Sequence, residues 1–123
     1  MTDFIFELGG EIIVIGDAWE VGIESPDPEG RSIARTVRLK DKAPATSGNY
    51  RQFKLVPGGL AGHIIDPETL KPIVRPPSSV SVIAKDCATA DAWATALFVL
   101  GPELPGPGDI EVFWNYPTEE KAV

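Results

Sequence analysis

The segment DCATADAWATALFVLGP, residues 86–102, limits the possible folds more than any other part of the chain. Ala, Leu, Phe and Val dominate it, and neither proline nor glycine interrupts it before Gly101. Asp86 is a residue type that favours the N-cap of a helix, and Gly101-Pro102 is typical of a helix end. The segment therefore predicts one dominant apolar helix over residues 88–100.

The other segments of the chain have the patterns of strands rather than helices. β-branched and aromatic residues are concentrated in short runs, several of which alternate apolar and polar side chains. These runs are FIFEL, EIIVIG, WEVGI, ARTVRL, YRQFKLV, LAGHIID, VSVIA and IEVFW. Segments 41–49 and 66–79 predict surface loops, because the first is rich in small and polar residues and the second contains four prolines.

We therefore predict an α+β domain in which short, mostly antiparallel strands pack on the dominant helix. Strands and helices do not alternate along the chain, which argues against a doubly wound, dinucleotide-binding sheet. A length of 123 residues suits one domain. We expect this domain to span residues 1–117 and to be followed by a loose tail at 118–123.

The charge balance argues against several classes of partner. The chain has 11 basic and 18 acidic residues, a net charge of −7, which repels phosphate backbones and anionic membrane surfaces. We therefore expect no nucleic-acid partner. The single cysteine, Cys87, excludes an intrachain disulfide. The start of the chain has neither a signal-peptide pattern nor a membrane-spanning run, so the chain as written is expected in the cytoplasm.

Asp91 and Thr95 are polar residues within the apolar helix. Their spacing of four residues puts a carboxylate and a hydroxyl on one helix face. If that face is buried, the carboxylate must be paired, neutralised or bound to a metal. Both groups are hard oxygen ligands that suit Mg²⁺ or Ca²⁺. The spacing also allows Asp91 to cap a loop or pair with a lysine, and Thr95 to bond to a carbonyl one turn back.

The chain has one histidine, His63, in the segment GHIID. Because its charge changes near neutral pH, it can contact a phosphate or act as an acid or base. It can also be a polar residue at the edge of a hairpin. A Ser47–His63–Asp66 triad is conceivable, but the G-x-S-x-G turn that presents such a serine is absent. The segment TSGN around Ser47 can present backbone N–H groups to an anion, although a turn is the simpler interpretation.

Five motifs follow one another in a distinctive order: LGGEI, WEVGIESPDPEG, ATSGNYRQF, GHIIDPETLKP and SVSVIAKDCATADAWATALFVLG. Together they resemble the later part of the ApbE-type flavin transferases, which are FAD:protein FMN transferases. The combination of HIIDP with ADAxATALFVLG at this spacing is specific. The resemblance covers about residues 5–101.

The resemblance implies a Mg²⁺-dependent reaction that cleaves the pyrophosphate of FAD, attaches FMN to a Ser or Thr of a target protein and releases AMP. Some members hydrolyse FAD instead. It implies that Asp91 and Thr95 bind the metal. It also implies that His63 is catalytic and lies beside the phosphates of the flavin nucleotide, with Ile64 against the nucleotide. We add Ser47, from the TSGN segment, as a candidate cofactor-binding residue.

Two departures from the family pattern bear on function. The family loop reads DP-x-TG-x-P, whereas Leu70 replaces its glycine here, so we expect this loop to run differently. Family members also carry a long segment before LGGEI that supplies a further metal ligand and flavin-binding residues. Without it, the isolated chain is expected to be an incomplete enzyme that needs a complementing N-terminal partner. The alternative is a non-catalytic module that binds flavin or nucleotide, or a structural module that associates with a partner or forms a homo-oligomer.

Overall fold

The fold consists of one helix and ten short strands within the residues that the computed structural model describes, which are 4–8, 11–15, 19–26, 33–50, 53–104 and 106–117. The elements are β1 (Phe4–Leu8), β2 (Glu11–Ile15), β3 (Trp19–Glu24), β4 (Ile33–Leu39), β5 (Ala43–Gly48), β6 (Lys54–Val56), β7 (Gly59–Ile65), β8 (Pro72–Arg75), β9 (Ser79–Ala84), α1 (Cys87–Leu100) and β10 (Glu111–Asn115). Every strand pairing among them is antiparallel. The predicted α+β class is therefore confirmed. The predicted tail at 118–123 lies outside the described residues.

The strands form two three-stranded sheets and two separate hairpins. The order of the first sheet is β10-β9-β5, and α1 packs against its strands β5 and β9. The second sheet has the order β6-β7-β8, and the hairpins are β1-β2 and β3-β4. No helix within the described residues is long and apolar enough to cross a membrane.

Strand β9 is the centre of the core, because it is covered on both faces and all six of its residues are buried. One face packs against α1, and the buried residues of that cluster include Val80, Val82, Ala84, Ala90, Ala94, Leu97 and Phe98. On the other face, Ile83 packs with Val21 of β3 and Leu39 of β4. The sheet therefore lies between the helix and the β3-β4 hairpin.

Both predicted ends of the helix are confirmed. Asp86 is the N-cap, and its Oδ1 accepts a hydrogen bond of 2.7 Å from the N–H of Thr89. Gly101 has a φ of 99°, a left-handed value that glycine tolerates, and its N–H donates to the carbonyl of Leu97 at 2.8 Å. The helix begins at Cys87, one residue before the predicted start.

The Asp86 cap predicts a pH-dependent contribution to stability. The hydrogen bonds from Thr89, above all that from its backbone N–H, lower the pKa of the Asp86 carboxyl from its ordinary value of 3.8. A carboxylate with a lowered pKa in the folded state stabilises the fold above its unfolded pKa, and this contribution is lost as the pH falls through the folded pKa. Asp86→Ala should therefore lower the urea midpoint at pH 7, and by progressively less below about pH 4. The expectation would be contradicted if Asp86→Ala lowered the urea midpoint by the same amount down to pH 2, or if Asp109→Ala lowered it in the same way.

Both predicted surface loops contain a strand, so these two predictions were wrong. Segment 41–49 contains β5, which pairs with β9 along its whole length. Its alanines are buried, because small side chains let the sheet approach the helix closely. Segment 66–79 contains β8, which is an edge strand of the second sheet. Pro72 is the first residue of that strand, where an absent N–H is tolerated.

The loop between β7 and β8 has the backbone that suits the glycine of the family pattern. Asp66 closes the loop, since its N–H donates to the Lys71 carbonyl at 2.9 Å and its carbonyl accepts from the Leu70 N–H at 2.8 Å. Leu70 has a φ of 60°, which costs a side-chain-bearing residue roughly 1–2 kcal/mol. The side chain of Leu70 is 78% exposed, so burial does not offset that cost.

Leu70→Gly should therefore raise the free energy of unfolding by up to about 1 kcal/mol, because the relieved strain exceeds the entropic cost of glycine, about 0.5–1 kcal/mol. Urea denaturation measures the change. Leu55→Gly is the matched control, since Leu55 is 80% exposed but lies in β6 without a positive φ. Glycine should destabilise that strand. Destabilisation by both substitutions alike would contradict the role assigned to Leu70.

Candidate functional site

Asp91 and Thr95 lie on the exposed side of α1. The buried face of the helix is formed by Ala90, Ala94, Leu97 and Phe98, whereas Asp91 and Thr95 are both exposed. The condition that this face is buried, which the apolar composition of the segment raised, is therefore not met. The reason is that alanine also occurs on the solvent side, at Ala88 and Ala92, so composition makes the helix look apolar all round.

Two predicted site residues from different motifs meet at this helix face. The hydroxyl of Ser47 lies 3.2 Å from the hydroxyl of Thr95, at hydrogen-bond distance, although 48 residues separate them in sequence. Ser47 is buried in β5, at the register position opposite Val80 of β9. The strand thus fixes the Ser47 hydroxyl, which in turn restricts rotation of the Thr95 hydroxyl.

Asp91 lies one helical turn before Thr95, so its carboxylate shares that face. Among the described residues, no hydrogen bond or ion pair engages Asp91. The sequence allowed Asp91 to cap a loop or to pair with a lysine. Within the described part of the chain, it does neither. An exposed carboxylate without a protein partner is free to bind a ligand.

His63 lies in a separate groove on the second sheet. The groove has a volume of about 350 Å³ and is lined by Phe53, Lys54, Ala61, Gly62, His63 and Pro72. Lys54 pairs with Ala61 in the register of β6 and β7, and His63 is two residues further along β7. Lys54 and His63 both line the groove, and both are exposed. None of the described residues that line the groove is a carboxylate.

The other predicted residues near His63 have structural roles. Ile64 points to the opposite face of β7 and is buried in the core cluster beneath α1. Its nucleotide contact therefore stays a prediction, and only its backbone could make it. Oδ1 of Asp66 accepts a hydrogen bond of 2.8 Å from the N–H of Glu68. Ser47 bonds with Thr95, and neither Ser47 nor Asp66 lines the His63 groove. The structure therefore does not assemble the conceivable triad.

The residues at the helix face fit part of a Mg²⁺ coordination shell. No group of three or more His, Cys, Asp or Glu side chains suited to a metal occurs in the part of the chain that the structure describes. Asp91 and Thr95 supply one carboxylate and one hydroxyl. Mg²⁺ commonly binds one or two carboxylates and completes its octahedron with water and substrate phosphates. This donor set is therefore suited to a metal that a phosphorylated ligand also holds.

Sequence reasoning missed Phe53 and Lys54 as residues of the groove. The signal was present, because the PGG turn at 57–59 fixes which residues of the hairpin face each other. Extending that register would have placed Lys54 opposite Ala61, two residues from His63.

Comparison with known proteins identifies the family. The sequence model of the ApbE family matches residues 1–105. The chain belongs to the ApbE family. This ApbE-family chain is 41% identical over 108 residues to the FAD:protein FMN transferase of Vibrio cholerae, an alignment that covers 84% of the chain and 32% of the relative. It is 40% identical over 88 residues to the Escherichia coli K12 protein of the same name, and this alignment covers 72% of the chain and 25% of the relative.

Solved structures of the ApbE family have the same fold. The ApbE protein from Thermotoga maritima aligns with a TM-score of 0.64 and 37% identity, over 80% of this chain and 32% of the other. The flavin transferase ApbE from Vibrio cholerae aligns with a TM-score of 0.60 and 33% identity, over 90% of this chain and 41% of the other. The chain thus spans about a third or less of the length of these two curated ApbE relatives.

Proposed function

We propose that the chain provides the metal- and phosphate-binding part of a FAD:protein FMN transferase, which transfers FMN from FAD to a Ser or Thr of a target protein with Mg²⁺. The observation that carries the proposal is the contact of Ser47 with Thr95, at 3.2 Å, beside the carboxylate of Asp91, which has no partner among the described residues. Two motifs far apart in sequence meet here in a set of oxygen donors. The curated relatives that bear the name FAD:protein FMN transferase support the reaction class.

In this proposal, Asp91 and Thr95 hold Mg²⁺, and Ser47 orients the Thr95 hydroxyl. When bound, the metal would neutralise charge on the pyrophosphate of FAD. Asp91 supplies the negative charge that attracts the cation to an exposed helix face. The rigid pairing of β5 with β9 keeps Ser47 in place, so the hydroxyl pair is organised before a ligand arrives.

His63 acts in the groove as a phosphate-binding and proton-transferring residue. In the transfer, the hydroxyl oxygen of the target residue bonds to the phosphorus of FMN, the bond from that phosphorus to the AMP oxygen breaks, and the hydroxyl proton is removed. A neutral imidazole can accept that proton, whereas a protonated one can donate to a phosphate oxygen. Lys54 adds positive charge to the same groove, which favours an anion there although the chain as a whole is acidic.

The proposal assigns this chain only part of a complete site, because it spans about a third or less of the length of these relatives. Catalysis is therefore expected when a polypeptide that matches the remaining length of a relative is present. The second candidate function is a non-catalytic module that binds flavin or nucleotide. The observation that favours it is that Asp91 and Thr95 are not joined by a group of three or more His, Cys, Asp or Glu side chains within the described residues.

The test measures AMP released from FAD by chromatography, with and without Mg²⁺, for the chain alone and with the remaining segment of the Vibrio cholerae relative added. Calorimetric titration with FAD, FMN and AMP runs in parallel. Mg²⁺-dependent AMP release supports cleavage of the FAD pyrophosphate, the step that the proposed transfer shares with hydrolysis, and FMN covalently attached to an added acceptor protein distinguishes the two. Binding of a nucleotide without AMP release under any condition overturns catalysis and supports the binding module. An absence of both binding and release overturns both functions.

A further inference from the structure

Arg75, at the end of β8, caps the C-terminus of the helix. Its Nε donates to the carbonyl of Phe98 at 3.1 Å, and its Nη2 donates to the carbonyl of Val99 at 3.2 Å. The last four carbonyls of a helix have no partner within it, and α1 has no basic residue in its last turn. Arg75 therefore supplies from another element the cation that stabilises this end of the helix.

The guanidinium of Arg75 is also held by aromatic rings. The guanidinium carbon, Cζ, lies 5.6 Å from the ring centre of Phe98 and 6.0 Å from that of Trp114, which are cation–π distances. The planar group thus contacts two rings and bonds to two carbonyls at once. Lysine cannot reproduce this arrangement, because it has a single flexible ammonium group.

Asn49 ties the backbone at Arg75 to the end of β5. Its Nδ2 donates to the carbonyls of Arg75 and Pro76, at 3.1 Å and 3.2 Å, and its Oδ1 accepts from the N–H of Ser78 at 3.1 Å. The side chain is 1% exposed, so these bonds are formed away from water and each one lost leaves a buried polar group unsatisfied. Asn49 follows Ser47 by two residues, immediately after β5 ends.

We propose that Arg75 and Asn49, together the Arg75–Asn49 clamp, are positioning residues that set the place of His63 relative to Ser47, Thr95 and Asp91. Arg75 joins the β7-β8 hairpin, which carries His63, to the helix that carries Thr95. Asn49 joins the same hairpin to β5, which carries Ser47. The functional part of this inference rests on the proposed transferase function, whereas the positional part does not.

The close approach of glycines at the clamp supports a fixed geometry. A Cβ added at Gly59 would lie 2.4 Å from the carbonyl oxygen of Arg75, and one added at Gly101 would lie 3.2 Å from its Nη2. A side chain at Gly59 would therefore require the backbone to shift. Glycine at these two positions therefore lets the β7 backbone and the end of the helix lie directly against Arg75.

The test uses the single histidine of the chain as a spectroscopic probe. A nitroxide is attached at exposed Ala92 of α1, as Ala92→Cys in a Cys87→Ser background, and the relaxation of the His63 imidazole protons is measured by NMR. Arg75→Lys and Asn49→Ser are compared with the unmodified clamp, and Arg38→Lys is the matched control. Arg38 is an exposed arginine of β4 whose ion-pair partner among the described residues is Glu20, at 3.8 Å.

We expect Arg75→Lys and Asn49→Ser to change the paramagnetic relaxation of His63 at least twofold, and Arg38→Lys to leave it unchanged. A residue that only stabilises the fold would lower the Tm without changing this rate in the folded protein, and that result would overturn the proposal. Where the chain releases AMP, kcat should fall by up to about 100-fold for a displacement of about 1 Å. If the unmodified chain neither binds FAD nor releases AMP, the proposed function fails. The relaxation data still show whether Arg75 and Asn49 set the position of His63.

Discussion

Asp91→Asn is expected to reduce Mg²⁺-dependent AMP release by at least about 100-fold, because a metal contributes several kcal/mol to stabilising the charge of the transition state and about 1.4 kcal/mol corresponds to a factor of ten. The amide keeps the size of the side chain and removes its charge, so the metal loses the one carboxylate at this helix face. The rate is measured with the remaining segment of the Vibrio cholerae relative present, at saturating FAD and over a series of Mg²⁺ concentrations.

The fold should be unaffected by Asp91→Asn, because the side chain is exposed and has no partner among the described residues. We expect its free energy of unfolding to change by less than about 0.5 kcal/mol. Asp109→Asn, an exposed loop carboxylate, is the matched control and should keep both the rate and its Mg²⁺ dependence. An Asp91→Asn chain with full activity and the original Mg²⁺ dependence would remove Asp91 from the metal site.

Phe98→Ala is expected to cost about 3–5 kcal/mol of the free energy of unfolding, the usual cost of removing a buried phenylalanine ring. Phe98 is 1% exposed, and its ring stacks on Trp114 at a centroid distance of 6.0 Å. The substitution leaves a cavity between helix and sheet and removes one of the two rings that contact Arg75. Because domains have only about 5–15 kcal/mol of stability, this is a large fraction of the total.

Urea denaturation at pH 7 measures the effect of Phe98→Ala. The slope of the transition should match that of the unmodified chain, which shows that unfolding exposes the same amount of surface in both proteins. Leu100→Ala is the matched control on the same helix, since Leu100 is 55% exposed. It should cost less than about 1 kcal/mol, in line with a surface substitution. Equal losses for the two variants would mean that the helix does not pack on the sheet through Phe98.

The parts of the fold that were predictable from sequence are those that local chemistry determines. Asp86 and Gly101 mark the ends of the helix through their own capping bonds, which need no tertiary context. The PGG turn between β6 and β7 is likewise a local signal. By contrast, β5 is rich in small and polar residues, and it is a strand because β9 lies beside it. Pairing with a distant strand leaves no mark on the composition of the segment itself.

The candidate site was predictable only in the residues that the family motifs contain. Asp91, Thr95, Ser47 and His63 were predicted from these motifs and stay predictions as site residues, and the structure brings Ser47 to Thr95. The exposure of Asp91 was not predictable, because the packed face of a helix depends on where the sheet lies. Arg75 and Asn49 were missed for a similar reason. Their partners are carbonyl groups of distant elements, which no side-chain pattern reports.

The burial of β9 on both faces has a consequence for how the chain opens. Its two edges are also occupied, by β5 and β10, so its amides reach water only after the neighbouring strands and the covering layers separate. Amide hydrogen exchange in this strand should therefore be the slowest in the molecule and should report global unfolding rather than local fluctuation. The exposed β6, at the edge of the other sheet, should exchange through much smaller openings. Lys54, which lines the groove of His63, thus lies on a strand that can open while the centre of the fold stays closed.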